Sequence, residues 1–252
     1  MPNKTLTIII PCYNAAAFIE NSFYKIEQFI AENTLFYAMF IDDGSSDDTY
    51  HKLIQCRKNS IFPDRIIILK NPTNLGKGGT IKRSILESTT DLLVFTDADM
   101  AYYLDNITTF YANIHSKEIC IANRVHPKSY YHMPPYFFKY VFSRHLSSRI
   151  FNWCVRQILL KDIQDTQAGL KMFWRTDFID FPHHSKENDF CFDIELLCYA
   201  QDNGIVVRQM PVDFRYDHET STVSFITHAF KMAFKLLKIA YRKHIIHYYK
   251  RK

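Results

Sequence analysis

No two cysteines in this 252-residue chain have C-x-x-C spacing, although six are present: Cys12, Cys56, Cys120, Cys154, Cys191 and Cys198. That argues against a zinc ribbon or a disulfide framework and leaves reduced, mostly buried thiols. No stretch reaches the about 18 consecutive apolar residues that mark a membrane span. The apolar run from Leu6 to Ile10 is too short for a signal peptide and leads straight into a proline turn. Acidic residues are missing from two long segments. Arg124 to Lys161 holds seven Lys/Arg and no Asp/Glu, and Ser221 to Lys252 holds eight and none. The net charge of +5 therefore hides two basic segments on an acidic body.

What is present reads as one large α/β domain. Apolar content of 47% and charged content of 23% are ordinary for a globular chain, and 252 residues suffice for a sizeable core. Strands are expected over 5–10, 36–41, 65–70 and 92–96. Helices are expected over 14–32, 48–56 and about 79–88. Strands alternating with helices predict a mostly parallel sheet with helices on both faces. After Ile121 the alternation weakens and long basic, helical segments begin.

The chemistry sits at predicted strand ends. The apolar run Leu92–Phe95 leads into Asp97-Ala98-Asp99. Two carboxylates at the tip of a central strand need a cation or hydrogen-bond donors to be tolerated, and strand tips are where open α/β sheets bind ligands. An oxygen-ligand site there suits Mg²⁺ or Mn²⁺ holding a diphosphate. A second acidic turn, Asp42-Asp43-Gly44-Ser45-Ser46-Asp47-Asp48-Thr49, joins a strand to a helix. Its carboxylate can accept from a base or ribose hydroxyl, and Ser46 or Asp47 can cap the helix. The loop Asn71–Thr80 is not a P-loop, because position 71 is Asn. Its glycines and Lys77 can still bring backbone N–H groups and an ammonium to a phosphate.

Taken in order, Pro11-Cys12-Tyr13-Asn14, the Asp42–Thr49 turn, Asn74-Leu75-Gly76-Lys77-Gly78 and Asp97-Ala98-Asp99 resemble a family 2 glycosyltransferase of the GT-A fold. Ser148–Asn152, Asp165-Thr166-Gln167-Ala168-Gly169-Leu170-Lys171-Met172-Phe173 and Phe192-Asp193-Ile194-Glu195-Leu196-Leu197 narrow the resemblance. They are similar to polyprenyl-phosphate sugar transferases, nearest to the dolichyl-phosphate β-glucosyltransferases. Three departures stand out. Ala15 replaces a frequent Glu, Ala168 and Leu170 replace Cys and Phe, and Ala101 replaces the Gln of mannosyl transferases, which weakens a mannose assignment.

The resemblance implies an inverting hexosyltransferase that uses Mg²⁺ or Mn²⁺. Its donor would be a nucleotide sugar, UDP-glucose before GDP-mannose, and its acceptor a polyprenyl or dolichyl phosphate. Pro11, Tyr13 and Asp42 would line the base and ribose pocket, with Asn14, Asp43 and Ala98 in the same nucleotide-sugar set. Lys77 would lie near the diphosphate, Asp97 at ribose or sugar, and Asp99, with Asp97, at the metal. Asp165, Asp193 and Glu195 are the candidate catalytic carboxylates. Arg124, Gln167, Lys171 and Arg175 are candidates for the acceptor phosphate. A lipid phosphate is already anionic and needs positioning; a hydroxyl acceptor would need a base, Asp165 or Glu195.

The expected organisation is a transferase domain over 1–222, with a nucleotide-sugar half over about 1–122 and an acceptor half over 123–222. A basic amphipathic helix over 223–252 follows. Phe230, Phe234, Leu237 and Tyr241 are spaced as one helical face, with Lys231, Lys235, Lys238 and Arg242 beside them. The segment Met133–Leu160 is also rich in aromatic and basic residues. Such faces suit an anionic membrane surface, so the expected location is cytoplasmic, peripheral on the cytosolic face of a membrane. No nucleic-acid motif accompanies the basic residues. A homo-oligomer is left open. Two rival functions are a family 2 enzyme acting on a saccharide or protein hydroxyl, and a non-enzymatic sugar-nucleotide-binding module at a membrane.

Overall fold

The computed structural model describes residues 4–132, 151–215 and 225–251, with side chains of the last segment from 234 onward. Most of the Met133–Leu160 segment, Ser148–Ile150, and the side chains of Phe230 and Lys231 lie outside the described residues.

The parallel strands form where β-branched and aromatic residues run together: β1 (Leu6–Cys12), β2 (Phe36–Asp42), β3 (Ile66–Lys70) and β4 (Leu92–Phe95). β1, β2 and β4 are apolar nearly throughout because both sheet faces are covered. Leu6, Ile8 and Ile10 join one core with α1 (Ile19–Glu32), α2 (Thr49–Lys58) and α4 (Asp105–Asn113). Ile9 joins the other, with α3 (Gly76–Glu87) and the helix α5 over 151–158. The remaining elements are β5 (Glu118–Ala122), β6 (Tyr130–His132), β7 (Lys171–Trp174), α6 (Arg175–Phe178), α7 (Phe192–Asp202), β8 (Val206–Met210), β9 (Asp213–Arg215) and α8 (Phe225–His244). The seven-stranded sheet has the order β3-β2-β1-β4-β7-β5-β8, and β6 and β9 form a small second sheet.

Two details correct the expected boundaries. Helix α1 begins at Ile19, not Asn14, because Asn14 turns with φ +49° to bond the next loop. Helix α3 begins at Gly76, earlier than about Gly79, because the Asp43 carboxylate accepts the N–H groups of Leu75 and Gly76 at 2.8 and 2.9 Å. A carboxylate from another loop thus caps the helix start, sharing the Gly76 N–H with the local Asn74 Oδ1 at 2.9 Å.

The expected halves interleave. β7 comes from the second half of the chain yet lies between β4 and β5, antiparallel to both. Helix α8 is part of the same core, with Leu236, Ile239 and Tyr249 buried against α7 and its neighbours. One carboxylate fastens that packing. Fully buried Glu195 accepts from Ser185 Oγ (2.7 Å), the N–H groups of Lys186 and Glu187 (both 2.8 Å), Arg242 Nη1 (2.8 Å) and Tyr249 Oη (2.8 Å). Removing it takes one of two carboxylates from half-buried Arg242 and leaves the N–H groups of Lys186 and Glu187 and the Tyr249 hydroxyl without this acceptor. Glu195→Ala is expected to lose about 3–5 kcal/mol of stability, a drop of roughly 10 °C in Tm. A Tm within a degree or two of wild type would show that α8 does not depend on this residue.

Candidate active site

The strand order reverses between β1 and β4, and open α/β sheets bind ligands at such points, beyond the carboxyl ends of the strands. Here β1 outlasts its neighbour. β4 ends at Phe95, opposite Ile9, while β1 runs on to Cys12. Pro11 therefore faces no β4 residue that would need its missing N–H. The loop after β1 is stapled to the loop after β2. Asn14 N–H donates to Ser45 Oγ (3.0 Å), Asn14 Oδ1 accepts from Ser46 N–H (2.9 Å), and Ala15 N–H donates to Thr49 Oγ1 (2.7 Å). This leaves Tyr13 half exposed at the rim. Asp42 lies at the floor, fully buried, with Oδ1 accepting from Ser45 N–H at 3.4 Å. Its Oδ2 is buried with no hydrogen-bond partner.

Asp43 and the glycine loop depart from the expected roles. Both Asp43 oxygens are used inside the protein, by Leu75 and Gly76 N–H and by Asn71 Nδ2 at 2.7 Å. Gly78 N–H donates to the carbonyl of Asn188 at 2.7 Å. Three N–H groups at the start of α3 are thus occupied, so this loop does not cradle a phosphate with them. Its glycines serve close approach instead. A Cβ on Gly76 would lie 2.5 Å from the Asn188 carbonyl oxygen, and one on Gly78 would lie 2.5 Å from Phe192 Cβ. What the loop offers the cleft is the Lys77 ammonium.

That ammonium pairs with Asp97. Beyond it, fully buried Lys171 bonds Asp193 Oδ1 at 2.5 Å and the Ala168 carbonyl at 2.7 Å. The two lysine Nζ atoms lie 5.7 and 5.5 Å from the centre of the Phe95 ring. Burial works against the Lys77 ammonium, but Asp97, Asp193 and Asp99 outweigh it and raise its pKa. Deeper in, burial dominates: it lowers the pKa of Lys171 and raises that of Asp193. Asp99 is exposed at the strand tip, where its Oδ1 accepts from Ala101 N–H at 3.0 Å. Ala98 is buried, and its carbonyl accepts from Ser22 Oγ at 2.6 Å.

The segment before β7 closes over these acids. Asp165 holds Arg124 through two bonds, Nε–H to Oδ2 at 2.7 Å and Nη2–H to Oδ1 at 2.9 Å. Burial opposes the Asp165 charge, yet the Arg124 guanidinium keeps the carboxyl below its usual range. Thr166 is fixed by Asn152 of α5. Gln167 Nε2 is buried without a hydrogen-bond partner. Gly169 passes so close to the strand tip that a Cβ there would lie 1.9 Å from Asp97 Oδ2.

The structure brings Lys77, Asp97, Lys171 and Asp193 together and moves two expected residues elsewhere. Arg175 is not at the acceptor site. β7 runs antiparallel to β4, so Lys171 stands opposite Phe95 at the cleft while Trp174 stands opposite Leu92 at the far edge. Arg175 follows Trp174 and bonds the carbonyls of neither cleft loop but that of Ile85. Glu195 is not available as a base, because its oxygens already accept five hydrogen bonds and it is fully buried. Lys171 is at the cleft end but is fully buried, with two of its three ammonium donors taken by Asp193 and Ala168. Sequence reasoning missed Asn188 and Phe192 as the backing of the glycine loop. The clustered glycines were the available signal, since they mark close backbone approach as readily as phosphate binding.

Among the described residues no group of three or more His, Cys, Asp or Glu side chains forms a metal cluster. Mg²⁺ is commonly held by one or two carboxylates together with substrate phosphates. Exposed Asp99 beside Asp97 fits that kind of shared site, with hard oxygen donors suited to Mg²⁺ or Mn²⁺.

This fold and site define a class of sugar-nucleotide transferases, and comparison agrees. Residues 7–175 match the family model "Glycosyl transferase family 2", and the chain belongs to that family. It is 28% identical over 252 residues to the dolichyl-phosphate beta-glucosyltransferase of Dictyostelium discoideum, covering 95% of this chain and 75% of that one. It is also 28% identical over 221 residues to glycosyltransferase AglD of Haloferax volcanii, covering 85% of this chain but only 34% of AglD. Among solved structures, glucosyl-3-phosphoglycerate synthase of Mycobacterium tuberculosis with Mn²⁺ and UDP-glucose shares the fold at a TM-score of 0.64 and 15% identity. That match covers 95% of this chain and 79% of the other.

The closeness of Gly169 to the strand tip is testable. Gly169→Ala pushes the Asp97 carboxylate off its position, and a displacement of about 1 Å can cost about 10²-fold in turnover. The expected result is that loss in kcat with an unchanged Tm. Full activity would show that Asp97 tolerates displacement.

Proposed function

We propose that this chain is an inverting glycosyltransferase that moves glucose from UDP-glucose to a polyprenyl or dolichyl phosphate at a membrane surface. The observation that carries the choice of acceptor is the state of the candidate bases. Asp165 is held by Arg124, Asp193 by Lys171, and Glu195 by five donors. All three are buried as well as paired, so none presents an accessible oxygen to a hydroxyl. An acceptor that arrives already ionised needs no such base. The relatives named as dolichyl-phosphate glucosyltransferases support the same acceptor and sugar.

In this account the nucleotide lies across the carboxyl edge of the sheet. Asp42 Oδ2, which has no partner, accepts an N–H of the base or a ribose hydroxyl. Tyr13 and Pro11 flank the base. Lys77 faces the diphosphate, and part-exposed Asp97 beside it meets the ribose or sugar. A divalent cation held at Asp99, with Asp97, would offset the charge that gathers on the departing diphosphate. An acceptor phosphate oxygen attacks the anomeric carbon from the side opposite the leaving group. The C1–O bond to the diphosphate breaks, and its electron pair leaves with UDP. Arg124 and Gln167 border the acceptor side, with Arg124 kept in place by Asp165.

Helix α8 supports action at a membrane surface. No described helix is long and apolar enough to cross a membrane. Yet Phe234, Leu237, Tyr241, Ile245 and Ile246 are exposed along one side of α8 and just after it, with Lys238 beside them. The inward cations Lys235, Arg242 and Lys243 pair with acids of the domain. An outward face of aromatic and aliphatic side chains flanked by lysine suits the headgroup region of an anionic bilayer.

Two measurements test these points. Radiolabel from UDP-glucose, GDP-mannose and UDP-N-acetylglucosamine is offered with polyprenyl phosphate, detergent and Mn²⁺. Label is expected in the organic phase from UDP-glucose, and Asp99→Asn is expected to abolish it without unfolding. Transfer from another donor alone would change the sugar, and no transfer from any would remove the activity. Separately, a Phe234→Ser, Leu237→Ser, Tyr241→Ser triple variant is expected to lose most binding to anionic liposomes, since full insertion of each side chain contributes about 1.5–3 kcal/mol. Unchanged binding would rule out this face of α8.

A further inference from the structure

We propose that the segment Ser185–Asp189 is a positioning strap: held by Lys235 and Arg242 of α8, it fixes the glycine loop and so aims Lys77 at the donor diphosphate. The proposal rests on the donor-site assignment above and adds a dependence of that site on the C-terminal helix.

The contacts form a continuous chain. On the outer side, Lys235 pairs with Glu187 at 2.9 Å and with Asp189. Arg242 Nη1 bonds Glu187 Oε1 at 3.0 Å and Glu195 Oε1 at 2.8 Å. Glu195 in turn takes the N–H groups of Lys186 and Glu187. On the inner side, the Asn188 carbonyl accepts from Gly78 N–H at 2.7 Å, and the Glu187 carbonyl accepts from Lys82 Nζ at 3.2 Å. Gly76 has no room for a Cβ because the Asn188 carbonyl of this strap lies against it, and Gly78 is closed by Phe192 just beyond the strap as well as by Asn188. Lys77 sits between those two glycines and reaches Asp97.

The geometry sets a direction of dependence. Asn188 and Asp189 are exposed; Asp189 is tied to the start of α7 by Cys191 N–H (3.0 Å) and to α8 by Lys235, so the ion pairs of α8 share in holding the strap. A strap that drifts by a fraction of an ångström releases Gly78 N–H and shifts Lys77 relative to Asp97. The donor site then loses its fixed ammonium, whereas the acceptor side, built on Arg124, Asp165 and Gln167, is untouched. Because α8 carries the exposed apolar face, the same helix that would meet a lipid surface also holds the loop that would meet the nucleotide.

The test uses the full chain. UDP with Mn²⁺ is titrated calorimetrically into wild type, Lys235→Met, Asp189→Asn, the double variant and Lys235→Arg, and donor and acceptor KM are measured with polyprenyl phosphate. Lys235→Met and Asp189→Asn are expected to weaken UDP binding by about fivefold and to raise the donor KM by a similar factor. The acceptor KM and Tm stay unchanged, Lys235→Arg keeps binding, and the double variant is no worse than Lys235→Met, which already removes the Asp189 link together with the Glu187 pair. Equal UDP affinity in wild type and both single variants would overturn the strap alone. Loss of binding that tracks a fall in Tm would also overturn it, by reducing the segment to a general structural part. Failure of wild type to bind UDP would instead remove the donor-site assignment, and the strap's role with it.

Discussion

Two ion pairs beside one phenylalanine, one buried and one part-exposed, organise this molecule. Lys77 and Asp97, Lys171 and Asp193 lie about Phe95 at the tip of the central strand. Ions taken out of water survive only when paired and hydrogen-bonded, so every element around them is arranged to supply partners. β7 must run antiparallel to place Lys171 beside Phe95. Helix α7 must start where Asp193 reaches that lysine. Gly169 must lack a side chain to let the chain pass the Asp97 carboxylate. The inner pair is sealed, while the outer pair lies at the cleft, where Lys77 and Asp97 can exchange their contact with each other for contacts with a ligand.

The same pairing divides the acids by task. Asp42 has an unpartnered oxygen at the cleft floor, and Asp99 is exposed. Asp43 caps α3, Glu195 joins α7 to α8, and Asp165 fixes Arg124. Acids with three to five donors of their own hold the frame. That division favours an acceptor bringing its own negative charge, because the frame acids are buried and already paired with donors of the protein.

How far the sequence foretold this depends on the range of the interaction. The first four strands, their helices and the acids at their tips follow local patterns of burial and turn chemistry, and Asp97 and Asp99 were legible from an apolar run ending in two carboxylates. What escaped was set by distant pairings. The direction of β7 moved Arg175 to the far edge, and nothing near Arg175 encodes that direction. Glu195 resembles a base two positions from Asp193, but opposite sides of one helix send it to Arg242 and Tyr249, some fifty residues on. The glycines of 76–79 suggested a phosphate cradle. Their reason is a chain segment more than a hundred residues away.

The most direct test of the account compares two acceptors that differ only at the reacting end: a polyprenyl phosphate and the corresponding polyprenol, each offered with the same donor and Mn²⁺. A site whose candidate bases are all engaged should glycosylate the phosphate and leave the alcohol unreacted, with kcat/KM at least about 10²-fold apart. Comparable transfer to the alcohol would contradict it, by showing that one of these carboxylates leaves its partner to act as a base.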